Sequence, residues 1–128
     1  RVVPLKVAGA FHSPFMAPAQ AQLAARLASV HLGEPAFPVW SNVTAAEADP
    51  EQIPELLARQ VVAPVRFSDT ILGMAEQGIQ TFLHVGPGDV TAGMARRTAS
   101  GCDALVLNDL AGMNDTILKL EGDGEETR

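Results

Sequence analysis

Two hydrophobic periods alternate along this chain, and the alternation restricts the fold more than any single motif. Residues 2–8, 38–41, 80–85 and 104–107 are short apolar runs that read as strands. Between them, apolar residues recur every three or four positions. Ala19, Leu23, Leu27 and Val30 form one such stripe, and Leu110, Met113, Ile117 and Leu120 form another. Ser13-Pro14 has the form of an N-cap followed by proline at the first helical position, and Gly33 and Pro35 close that segment. Asp49 and Gln52 have capping-box spacing, but Pro54 moves the expected helix start to Ile53. Leu56, Leu57, Gln60 and Val61 then share a face, and Pro64 stops the helix. A further helix is expected from Ser68, with Phe67 and Leu72 as a hydrophobic staple and Gly78 as its end. Gly86-Pro87-Gly88 turns into a helix that Asp89 is placed to cap. Strands alternating with helices predict an α/β layer fold with four mainly parallel strands.

Composition narrows the class. A chain of 128 residues, 47% hydrophobic and 19% charged, has the make-up of a folded domain. Its length suffices to bury roughly two-thirds of the unfolded surface without disulfides. No apolar stretch approaches the ~20 residues that cross a bilayer, so no membrane partner is expected. A net charge of -6 argues against nucleic acid as a partner. Four of the 15 acids lie in residues 121–128 against one base, so the body is mildly acidic and the end reads as a solvated acidic tail. The single cysteine, Cys102, excludes an internal disulfide and fits a reducing, cytoplasmic setting. The chain begins inside a strand-like run without an initiator Met, which raises the expectation that it is a portion of something longer.

Among residues able to carry chemistry, His12 stands out. It follows an apolar strand directly, where α/β folds present catalytic groups, and imidazole suits a general base. His31 reads as a surface residue near a helix C-terminus, and His84 as a structural residue beside the glycine turn. No two histidines have metal-ligand spacing and Cys102 has no cysteine partner, so no metal site is expected. Gly86-Pro87-Gly88-Asp89 fails as a dinucleotide fingerprint, because Thr91 stands where the third glycine belongs. Serines stand at positions 13, 29, 41, 68 and 100, none in a nucleophile elbow. A base is present without a nucleophile.

Residues 7–16, Val-Ala-Gly-Ala-Phe-His-Ser-Pro-Phe-Met, resemble the histidine motif of malonyl-CoA:acyl carrier protein transacylases. Three more blocks follow in the family's order: residues 39–44 (Val-Trp-Ser-Asn-Val-Thr), 59–67 (Arg-Gln-Val-Val-Ala-Pro-Val-Arg-Phe) and 82–88 (Phe-Leu-His-Val-Gly-Pro-Gly). The likeness runs from Arg1 to about Thr98. It implies an α/β-hydrolase-like large subdomain with an inserted ferredoxin-like small subdomain. Residues 1–7 would be the exit strand of the small subdomain, residues 8–120 part of the large one, and 121–128 the tail. The chain would then be the C-terminal part of the acyltransferase. The missing N-terminal part would hold the serine, the oxyanion-hole segment and the arginine that pairs with malonyl.

The resemblance implies ping-pong transfer of malonyl from CoA to the phosphopantetheine thiol of acyl carrier protein, with both thioesters as substrates and no cofactor. His12 would be the base, oriented by the main-chain carbonyl of Gln60 where serine proteases use a carboxylate. Phe11 would select malonyl, its ring crowding the room an α-methyl group needs. The chain departs from the family at His84, Asp89, Thr91 and Met94, where glutamate, a basic residue and two leucines are usual. Those departures bear on carrier docking and local packing. Lys6, Arg66, Arg96 and Arg97 are the candidates to meet an acidic carrier protein. The alternative is a non-catalytic carrier-binding or scaffolding module built on the same half. The choice between fatty-acid and polyketide pathways stays open.

Overall fold

The computed structural model describes Val2 and residues 9–122. The expected strand over 2–8, with its role as an exit strand, lies outside the described residues apart from Val2, as does the acidic tail beyond Gly122. The described chain is a mixed α/β fold in two compact units that meet in sequence between Thr70 and Ile71.

In the first unit one 3-10 turn, Pro14–Met16, leads into α1 (Ala17–Leu27), and a second lies further along. Ser13 has extended backbone but makes no side-chain cap; its hydroxyl turns back to donate to the Ala10 carbonyl at 2.6 Å. Helix α1 stops at Leu27, so Val30 falls outside the stripe and is 41% exposed. The strand expected over 38–41 is β1 (Trp40–Ser41), paired antiparallel with β2 (Ala46–Glu47). That hairpin was not anticipated, because no glycine marks its turn; Ala45 takes the left-handed position at φ 55°. Asp49 accepts from the Glu51 N–H at 3.0 Å and opens a 3-10 turn, Pro50–Gln52. Helix α2 (Ile53–Gln60) then begins as expected at Ile53, with Pro54 early enough to break no intrahelical bond. Leu56 and Ala58 are buried, whereas Leu57 is exposed. Helices α1 and α2 pack together.

Helix α3 (Phe67–Glu76) crosses the unit boundary and begins one residue before the expected Ser68. It ends as the glycine predicts. Gly78 has φ 93°, its N–H bonds the Ala75 carbonyl, and the Ile79 N–H bonds that of Met74. The pairing is that of a Schellman cap.

In the second unit β3 (Thr81–Val85) and β4 (Asp103–Leu107) run parallel, with Phe82 opposite Ala104 and His84 opposite Val106. Helix α4 (Val90–Thr98) is the crossover and packs on both strands, while α5 (Ala111–Gly122) packs on β4. The core is small and alanine-rich: Ala92, Ala95, Ala99 and Ala104 are buried with Ile71. Asp89 occupies the N-cap position of α4 but makes no side-chain cap, since its φ of -150° and ψ of 8° are not cap geometry. The cap of α5 is Asp109, whose carboxylate accepts from the Gly112 N–H at 2.8 Å. The expected α5 stripe is not a buried face among the described residues. Met113 and Ile117 are 40% and 43% exposed, and Thr116 is the buried position. Three of the four strands expected in one sheet are described: β1 pairs antiparallel with the unexpected β2, and β3 and β4 pair parallel with each other.

Candidate active site

His12 sits in the short turn before α1, at φ 63°, a left-handed backbone that β-carbon residues adopt at a cost of about 1–2 kcal/mol. Two hydrogen bonds to the far end of α2 hold it there. Its backbone N–H donates to the Val61 carbonyl at 2.9 Å, and its ring Nδ1 lies 2.9 Å from the Gln60 carbonyl oxygen. Carbonyls at a helix C-terminus have no intrahelical partner. Gln60 ends α2 and Val61 caps it, so one histidine takes up two successive orphan acceptors. A carbonyl oxygen only accepts, so in the neutral ring Nδ1 carries the proton and Nε2 a lone pair with no partner among the described residues. The side chain is exposed, so that lone pair is accessible.

Phe11 is 56% exposed, with its ring 6.5 Å from the imidazole and tilted by 54°. A β-carbon at Gly9 would stand 3.4 Å from the Phe11 ring, at ordinary van der Waals contact. The structure thus brings together His12, the Gln60 carbonyl and Phe11, although Gln60 lies 48 residues from the histidine. Beside Gln60 a cleft of about 170 Å³ opens among Val39, Trp40, Asn42, Ile53 and Leu57.

The other candidates have local duties. His84 on β3 has Nε2 3.2 Å from the Gly86 carbonyl, and its Nδ1 pairs with the Thr91 hydroxyl of α4. Both nitrogens are occupied, and the ring ties the strand end, the glycine turn and the helix start together. His31 is exposed, and Cys102 donates its thiol to the Ile79 carbonyl at 3.3 Å. Among the described residues no three His, Cys, Asp or Glu side chains gather as a metal site. Two of the proposed docking bases are engaged with the backbone. Arg66 donates to the Thr44 carbonyl and to Asp69, each at 2.9 Å, and Arg96 donates from Nε and Nη2 to the Ala104 carbonyl. Arg97 is exposed, and Lys6 lies outside the described residues. Sequence reasoning missed the Val61 carbonyl and the Thr91 hydroxyl, since neither backbone acceptors nor a lone threonine leave a motif.

No protein-family model matches the chain. It is 36% identical over 115 residues to the malonyl CoA-acyl carrier protein transacylase of Haemophilus influenzae, covering 89% of this chain and 37% of that protein. It is 37% identical over 95 residues to the polyketide biosynthesis protein ThaF of Burkholderia thailandensis, covering 74% of this chain and 8% of that one. Solved structures agree. The malonyl CoA-acyl carrier protein transacylase of Clostridium perfringens matches with a TM-score of 0.89 at 30% identity, over 95% of this chain and 39% of that one. A malonyl-transacylase in complex with its type II polyketide-synthase acyl-carrier protein matches at 0.81 and 37% identity, over 87% and 36% of the two chains. The fold is thus that of a class of solved transacylase structures. Within that class the chain belongs to the malonyl CoA-acyl carrier protein transacylase family, and it spans little more than a third of the length of the curated relatives it matches.

Proposed function

We propose that the chain is the histidine-bearing, C-terminal portion of an enzyme that moves malonyl from CoA to the phosphopantetheine thiol of acyl carrier protein. The observation that supports it most is the His12 ring held by Nδ1 on the Gln60 carbonyl, with Nε2 unpartnered among the described residues. In this reading a serine outside the chain attacks the malonyl thioester, and His12 Nε2 takes the serine proton. The proton passes to the departing CoA sulfur, leaving malonyl on the serine. The carrier thiol then attacks that ester, gives its proton to Nε2, and the proton returns to the serine oxygen. Helix C-terminal carbonyls carry partial negative charge and complement the imidazolium formed in each half. Gln60 orients the ring through its main chain, and Phe11 confines the acyl pocket to malonyl.

The same reading assigns residues 8–120 to the α/β-hydrolase-like large subdomain and residues 1–7 to the exit strand of the ferredoxin-like one. The parallel β3–α4–β4 unit suits the large subdomain. The partners are malonyl-CoA, acyl carrier protein and the N-terminal part of the enzyme, in a cytoplasmic setting and without a resident cofactor; the carrier complex of a related transacylase supports the carrier. Intact-mass measurement after incubation with malonyl-CoA tests the division of labour. The complete protein is expected to gain one malonyl group and this chain alone none. A malonyl adduct on the isolated chain contradicts the reading, and carrier binding by the complete protein without any adduct favours the scaffolding module instead.

A further inference from the structure

The carbonyl that holds the His12 ring belongs to the last residue of α2, and helix ends fray unless the chain beyond them is fixed. The same residue supplies a group that fixes it. Gln60 Nε2 lies 3.3 Å from the Ala63 carbonyl oxygen and 3.5 Å from that of Pro64. Both partners are acceptors only, so the carboxamide must face them with its NH2 group and donate one N–H towards each. Among the described residues no backbone N–H of a turn or loop bonds either of these carbonyls, which leaves them to the carboxamide. Gln60 is half-buried, and the turn it closes is the one that leads away from α2.

We propose that the Gln60 carboxamide is a positioning group for His12. Its side chain locks the turn after α2, and this fixes the direction of its own main-chain carbonyl, which selects the Nδ1–H tautomer of the histidine. The role is distinct from that of the carbonyl, which every residue possesses. It requires a donor on a side chain of this reach. Methionine has the reach without the donor, and lysine has both, with a cation suited to a helix C-terminus. The catalytic meaning of the inference rests on the acyl-transfer reading; its geometric content does not.

Long-range 1H–15N spectra of the His12 ring in the full chain read the tautomer directly. The wild type is expected to show Nδ1–H. Gln60→Met is expected to move the ring to a mixture of tautomers, and Gln60→Lys to restore the wild-type pattern. An unchanged ring pattern in Gln60→Met, or a folded Gln60→Lys that resembles it, overturns the proposal. Should Gln60→Met not fold, the wild-type carboxamide decides. Nuclear Overhauser contacts from its two protons to Ala63 and Pro64 support the proposal, and a freely rotating carboxamide overturns it. In the complete enzyme Gln60→Met is further expected to lower kcat on the order of 10- to 100-fold, with KM little changed. If the tautomer responds while His12→Ala leaves transfer intact, the acyl-transfer reading fails and the positioning role stands.

Discussion

His12 combines a strained backbone with a fully specified side chain. Its φ of 63° persists because the two bonds to Val61 and Gln60 fix the turn from both main chain and ring. The main-chain bond to Val61 does not depend on the side chain, so replacement of the histidine is expected to weaken the turn without loss of the fold. His12→Gly is expected to be more stable than His12→Ala by about 1 kcal/mol in urea denaturation, since glycine enters the left-handed region freely. Equal stabilities would contradict the left-handed turn. His12 could be singled out in the sequence from its place after an apolar run, but its hydrogen-bond partner could not. Gln60 acts through a carbonyl that every residue carries, 48 positions away, and only the family likeness pointed to it.

At the scale of elements, legibility followed the strength of the local signal. The start of α2 at Ile53 was fixed by two prolines and the end of α3 by Gly78, because these residues restrict the backbone themselves. The β1–β2 hairpin had no such mark. Its turn is held from outside, by the Arg66 N–H on the Asn42 carbonyl, the Arg66 guanidinium on that of Thr44, and Thr70 on the Asn42 side chain. Ala45→Gly is expected to stabilise the protein by about 1 kcal/mol by relieving the left-handed alanine. Arg66→Ala is expected to destabilise it by about 1 kcal/mol, the worth of an exposed charged hydrogen bond. Thermal melts of both variants check the pair; a neutral Arg66→Ala would remove the clamp. The caps at Ser13 and Asp89 failed for different reasons. Residue type and position were right, but the hydroxyl found a nearer carbonyl and the aspartate backbone left cap geometry.

Among the described residues much apolar surface is left open. His84 faces α4, so the alternate residues of β3 point the other way, and Leu83 and Val85 are 40% and 69% exposed. Parallel sheets are ordinarily covered on both faces. The isolated 128-residue chain is therefore expected to self-associate as its concentration rises, read by sedimentation; a monomer at every concentration would contradict the exposure of that face. Length alone permitted a self-sufficient domain, yet the chain spans little more than a third of its curated relatives and offers a base without a nucleophile elbow. The central claim is that His12 moves the proton in acyl transfer. It is tested most directly by the rate of malonyl transfer from malonyl-CoA to holo acyl carrier protein in the complete protein carrying His12→Ala. The account predicts a fall of ~10²–10⁴-fold with the fold retained. Transfer at the wild-type rate would contradict it.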